Sequence, residues 1–189
     1  MMLRTARLVL REPRDEDLDA FAAMSADADV MRFFPWLMDR EASAAHLARV
    51  RAHFAEHGFG RWAVEAPGVA PFVGLVGLMR VTFEAAFTPA VEIGWRIARP
   101  FWRRGYAREA AEAAIADGFG RLGLDEIVAY TVPANAPSRA LMRRLGMVRD
   151  PACDLDHPAV PEGHPLRRHV VYRLRRRTEG AGRDPGGPV

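Results

Sequence analysis

An α+β fold around one mixed, mostly antiparallel central sheet is what this sequence predicts, and three observations predict it. The apolar runs Arg61-Trp62-Ala63-Val64-Glu65 and Phe72-Val73-Gly74-Leu75-Val76-Gly77-Leu78-Met79 flank the turn Ala66-Pro67-Gly68, as the two arms of an antiparallel hairpin do. A β-branched run from Val91 to Ala98 passes a basic turn containing Gly105 and becomes an alanine-rich helix that reaches about Phe119. After Gly123 a second β-rich run, Glu126-Ile127-Val128-Ala129-Tyr130-Thr131-Val132, follows that helix, so the strands on either side of it should lie parallel.

In chain order, Arg7-Leu8-Val9-Leu10-Arg11 alternates as a strand. Pro13-Arg14-Asp15-Glu16-Asp17 then opens a helix with acids at the positive end of its dipole, and Leu18, Phe21 and Ala22 should face inward. Phe33-Phe34-Pro35-Trp36-Leu37 is an aromatic loop in which Phe34 and Trp36 could line an acceptor pocket or form a plug beneath two helices. Residues 39–57 read as a second helix, with Ala45, Leu47, Val50 and Phe54 as its apolar positions and Gly58 as its stop. Pro133-Ala134-Asn135-Ala136-Pro137 starts a last helix over residues 138–145, ended by Gly146, and residues 169–174 form a final strand. Residues 1–177 are expected to make one domain, and residues 178–189, rich in Gly and Pro, a disordered tail.

Composition narrows the chemistry. The 189 residues are 49% hydrophobic and 27% charged, ordinary for a globular domain, and no apolar run nears the roughly 20 residues that span a bilayer. Neither a membrane span nor a secretory leader is expected, and the lone Cys153 fits a reducing compartment, so the expected location is cytoplasmic. All 27 basic residues are arginines, which excludes a Walker-type phosphate loop and a pyridoxal Schiff base, since each needs a lysine. The net charge of +3 favours anions such as a nucleotide cofactor, while mixed charge along the chain gives no indication of nucleic acid.

The strand, turn and helix start at residues 91–111 have the makings of an anion site. The first amides of a helix lack intrahelical acceptors and point along the positive end of its dipole. Arg103 and Arg104 add charge there, Gly105 permits close approach of backbone and ligand, and Ala107 takes the next tight position, so the segment reads as a pyrophosphate cradle.

Glu92-Ile93-Gly94-Trp95-Arg96-Ile97 through Trp102-Arg103-Arg104-Gly105-Tyr106-Ala107-Arg108-Glu109-Ala110, then Asn135-Ala136-Pro137-Ser138 and Leu145-Gly146-Met147, resemble the GNAT N-acetyltransferase superfamily. Thr5-Ala6-Arg7-Leu8-Val9-Leu10-Arg11 is similar to its RimJ/RimL-type branch. The resemblance implies a three-layer α/β arrangement with helices on both faces of the sheet and splayed central strands. It implies acetyl-CoA as donor substrate, with the pyrophosphate on Arg103, Arg104, Gly105, Tyr106, Ala107 and Arg108. It further implies that the backbone of Trp95, Arg96 and Ile97 holds pantetheine and that Asn135 and Ser138 face the thiol arm. The first position of the family's phosphate-turn pattern is Trp102 here. The family often dimerises, so a homodimer stays open.

Acyl transfer from a thioester to an amine needs a neutral amine, a polarised carbonyl and a proton for the leaving thiolate. Glu92, on a central strand opposite in facing to Ile93 and Trp95, is the candidate base, with an ion pair to a sheet arginine as its alternative role. Ser138 is placed to hydrogen-bond the thiol sulfur, and both it and Asn135 could equally cap a helix. Tyr106 and Tyr130 carry suitable phenols, but no spacing selects either; the oxyanion donor is expected to be a backbone amide near Ile97.

Gly118-Phe119-Gly120-Arg121-Leu122-Gly123 spells a dinucleotide motif but ends a helix instead of starting one. The histidines of residues 157–169 match no zinc spacing, and no metal is expected. The arginine-rich end, residues 167–177, leaves a rival reading of a non-catalytic acyl-CoA sensor or RNA-docking module, although a solvated strand edge explains it more simply.

Overall fold

The computed structural model describes residues 2–176; the proposed tail at 178–189 and Arg177 lie outside the described residues. Nine strands form one sheet system in the order β1 (Met2–Arg4), β2 (Val9–Arg11), β3 (Arg61–Ala66), β4 (Ala70–Arg80), β5 (Val91–Ile97), β6 (Glu126–Thr131), β9 (Arg168–Arg175) and β7 (Val148–Arg149), with β8 (Leu155–Asp156) also paired to β9. Every pairing is antiparallel except β5 with β6, the two strands that flank the alanine-rich helix. The mixed α/β architecture is the expected one.

Five α-helices lie among the described residues: α1 (Leu18–Ala26), α2 (Ala28–Met31), α3 (Arg40–His57), α4 (Tyr106–Gly120) and α5 (Ala136–Arg144). Asp39 caps α3 by accepting from the Ala42 amide, and Gly58 ends it at φ 72°. α4 owes its close seat on the sheet to small residues: Ala110, Ala111 and Ala114 are fully buried against a core containing Trp62, Val76, Leu78, Ile93, Ile97, Ile127 and Ala129. A second cluster, Phe21, Met24, Leu47, Ala63, Phe72 and Leu75, packs α1 and α3 on the sheet.

Several sequence expectations need correction. The first helix begins at Leu18 after a short 3-10 turn, Asp15–Asp17, because Asp17 is buried on Arg11 at 2.8 Å and its carboxylate also accepts from the Arg14 amide. Ala45 is exposed; Ser43 and His53 take buried positions on α3. His53 is buried without an unsatisfied polar group, its Nδ1 lying 2.7 Å from the Phe59 carbonyl and its Nε2 accepting from the Arg80 amide. The short strands β1, β7 and β8 and the single-turn α2 have no periodic signature to read.

Candidate active site

The site is built where β5 and β6 part. The two strands share one register pair, Glu92 with Val128, while β5 stays paired with β4 as far as Ile97 and β6 stays paired with β9 as far as Thr131. Ala98 donates to the Val73 carbonyl at 2.9 Å. Alternation along an antiparallel ladder therefore turns the backbone groups of Ile97 and Trp95 away from β4, into the widening gap. The Ile97 carbonyl meets the Trp102 indole Nε1–H there at 2.6 Å, so Trp102 ties the following turn to the end of β5.

That turn is a strained, exposed loop leading into α4. Arg103 has φ 60°, uncommon for a residue with a side chain, and Gly105, which precedes the helix, has φ 83°. Arg104, Gly105 and Arg108 lie near the surface, and the Tyr106 side chain is buried. The loop's shape is held from outside by the first residues of the chain. Arg7 donates from Nη1 to the Arg104 carbonyl at 3.0 Å, and its amide and guanidinium donate to Glu109 at 2.9 and 2.7 Å. Thr5 adds its hydroxyl to the same carboxylate at 2.6 Å. A Cβ on Gly105 would stand 3.2 Å from Arg7. Burial alone would raise the Glu109 pKa, but the Thr5 and Arg7 donors outweigh it and hold the carboxyl below its usual range.

On β5, Glu92, Gly94 and Arg96 share the face opposite Ile93 and Ile97. Cross-strand pairing sets Arg61 opposite Gly77 and Gly77 opposite Gly94, so a single residue without a side chain, Gly77, stands between Arg61 and Gly94 of β5. The Arg61 guanidinium lies over Gly94, where a Cβ would come within 3.0 Å of it, and reaches the Glu92 carboxylate at 2.5 Å. Tyr130 sits beside Glu92: burial first, then the Glu92 charge and a hydrogen bond to it, push the phenol far above its ordinary value, so it stays a neutral donor. His157 and His169, with ring centres 5.0 Å apart, pack on Tyr130, and burial lowers both pKa values.

Arg96 points toward α1. One of its nitrogens donates to Ser25 Oγ at 3.2 Å, and its guanidinium lies over Phe34 at 4.4 Å and Phe21 at 5.7 Å. Phe34 of the aromatic loop is thus brought to the site, whereas Trp36 is 55% exposed and the loop is no plug beneath the helices. Across the gap, Asn135 joins α5 to β6: its Oδ1 accepts from the Ser138 amide at 3.2 Å, and its Nδ2 donates to Thr131 at 3.0 Å.

Elsewhere, Gly118 and Gly120 end α4, and Gly118 is the point where α4 meets Leu78, whose Cδ1 would be 2.9 Å from an added Cβ. Among the described residues no three His, Cys, Asp or Glu side chains gather as metal ligands, and no helix is long and apolar enough to cross a membrane. The arginine-rich end is largely neutralised: Arg173 pairs with Glu126 and Asp150, Arg175 with Glu126 and Arg176 with Asp125. Arg61 went unremarked in the sequence; glycines interrupting two neighbouring strands at 77 and 94 were the available signal that something crosses them closely.

Comparison with known proteins agrees with this geometry. Residues 7–148 match the family model described as an acetyltransferase (GNAT) domain. The chain is 31% identical over 152 residues to the FsC-acetyl coenzyme A-N(2)-transacetylase of Aspergillus fumigatus, covering 77% of this chain and 64% of that protein. It superposes on a GNAT-family acetyltransferase from Bacillus anthracis with a TM-score of 0.76 at 25% identity, over 93% of this chain and 98% of the other. Mycobacterium smegmatis RimJ, solved with a CoA-disulfide, has the same fold at a TM-score of 0.70 and 23% identity, over 89% of this chain and 81% of its own. A sheet that opens between two parallel strands beside a helix with a glycine at its start, together with the match over residues 7–148, places this chain in the GNAT acetyltransferase family.

Proposed function

We propose that this acetyltransferase moves the acetyl group of acetyl-CoA to a primary amine by direct attack in a ternary complex. The observation that carries the reading is the parting of β5 from β6, with the backbone edge of Trp95 and Ile97 facing the gap and the Gly105 turn at its end. The fit to acetyl-CoA rests on that geometry. Pantetheine is amide-bearing and can complete the backbone edge that β6 leaves unmet, through Trp95 and Ile97; the backbone groups of Arg96, also expected to hold it, face Leu75 of β4 instead. A diphosphate suits the first amides of α4, Tyr106, Ala107 and Arg108, approached over Gly105 and flanked by Arg103 and Arg104.

Glu92 is the base that takes the ammonium proton, directly or through water. Its ion pair with Arg61 does not remove that capacity, because one carboxylate has about four lone-pair sites and Arg61 meets one oxygen. A backbone amide at Ile97 is the donor for the oxyanion. Ser138 offers its hydroxyl to the departing sulfur while its own amide stays on Asn135. No covalent enzyme intermediate is required.

The test is thiol release from acetyl-CoA over a panel of small amines and peptide N-termini. Wild-type turnover with at least one acceptor is expected, and Glu92→Gln should lower kcat by about 10²–10⁴-fold, the usual contribution of a positioned acid or base. CoA binding with no transfer to any acceptor would instead support an acyl-CoA sensor.

A further inference from the structure

The acetyl-transfer reading leaves the acceptor open, and the charge on the α1 side of β5 narrows it. Arg61 and Arg96 stand two and four residues along from one carboxylate in strand terms: Arg61 lies over Gly94, and Arg96 follows on the same face. Glu92 answers Arg61 through one nitrogen only, and the Arg61 Nε is buried with no hydrogen-bond partner. Arg96 has no carboxylate partner among the described residues; its hydrogen bonds go to Ser25 Oγ and, at 3.6 Å, to Met38 Sδ, both through one of its three nitrogens. Of these two neighbouring, largely buried guanidiniums, only Arg61 meets a carboxylate. Burying charge without a partner is expensive, and an arginine fork is shaped for a planar anion.

The surroundings sharpen the imbalance. His46, stacked on Phe21 at 5.3 Å, is lowered to about 3 by burial first and then by Arg61, Arg96 and Arg49, so it adds no charge and no counter-ion. Burial, followed by repulsion from Arg61, pulls Arg96 itself down to about 10. Phe34 and Phe21 border Arg96, and the Phe34 loop reaches the surface beside it.

We propose that the acceptor carries a carboxylate, bound by Arg96 with Arg61 beside it, while its amine is presented to Glu92. The proposal rests on the acetyl-transfer reading above and adds a substrate class to it: an amino acid or an amine with a nearby carboxyl group. The same chemistry could come from a free amino acid or from a peptide whose first residue is Asp or Glu. Gly94 then has a functional consequence, since the absence of a Cβ there leaves room for the Arg61 guanidinium, which reaches across β4 to the same face of β5.

The test compares thiol release for matched acceptors: free α- and ω-amino acids against their carboxamides, and peptides beginning with Asp or Glu against those beginning with Asn or Gln. Wild-type enzyme should favour the carboxylate member by about tenfold or more in kcat/KM, through KM. Arg96→Met should bring that ratio close to one, and Arg96→Lys, which keeps the charge but not the fork, should restore part of it; thermal melts establish that both variants fold. Preference for free amino acids or for acidic peptides names the source. An active enzyme that treats acid and amide alike, or an acid preference that survives in Arg96→Met, overturns the carboxylate site and leaves acetyl transfer standing. If no acceptor turns over, the acetyl-transfer reading fails separately, and calorimetry of the CoA-loaded protein with N-acetylglycine and its amide decides the site: selective binding of the acid, lost in Arg96→Met, supports it, and equal or absent binding overturns it.

Discussion

Glu92 and His46 show how single side chains take their character from what surrounds them. Alternation along a strand was enough to set Glu92 against the face of Ile93, because period two is a local property of extended chain. That a sheet arginine pairs with Glu92 is the alternative role the sequence allows, but not which arginine: Arg61 is 31 residues away, and only the pairing of β3, β4 and β5 brings it there. The place of His46 beside three arginines is likewise a product of packing. Its folded pKa of about 3 lies below the unfolded value of about 6.5, so the unfolded chain binds the proton first. Stability should therefore be fully present above about pH 6.5 and fall as the pH drops from there toward 3. Thermal melts of wild type and His46→Leu across pH 7.5 to 4 check this: the variant should lose part of the slope, and identical slopes would show that His46 does not contribute.

The elements that the sequence announced most clearly were those with a strong local code. The hairpin of β3 and β4 carries its turn residues, α3 carries both caps, and the strand, turn and alanine-rich helix at residues 91–120 carry the glycine and the small face that close packing needs. The clamp on that turn was hidden, because Thr5 and Arg7 reach Glu109 over more than one hundred residues. Its conformation makes Gly105 an exacting position. At φ 83° a side chain costs about 1–2 kcal/mol, and a Cβ there also crowds Arg7 at 3.2 Å. Gly105→Val should lower stability by about that amount and weaken CoA binding more than tenfold by calorimetry; unchanged affinity would remove the turn from the phosphate site. Short elements such as β7, β8 and α2 were unreadable for the opposite reason, since two to four residues hold no period and exist only through their neighbours.

At the scale of the whole molecule, function is an interruption of the sheet. Eight strands lie side by side along the sheet, and the seam between β5 and β6, joined by one register pair, lies where helix α4 begins and where the only parallel neighbours among the described residues meet. The crossover through α4 lets those neighbours run parallel, as the order strand, helix, strand predicts; how far they separate depends on the packing of both halves and is not readable from pattern. The family resemblance supplied the splay in advance, and the register of β4 with β5 and of β6 with β9 gives it residue limits.

Amide hydrogen exchange with and without CoA tests the central claim most directly. The account predicts slower exchange on CoA addition at Trp95 and Ile97 on β5 and at Tyr106, Ala107 and Arg108 at the start of α4, with the β3–β4 hairpin turn at residues 67–69 unaffected. Protection confined to other segments, or none at these five amides at saturating CoA, would contradict it.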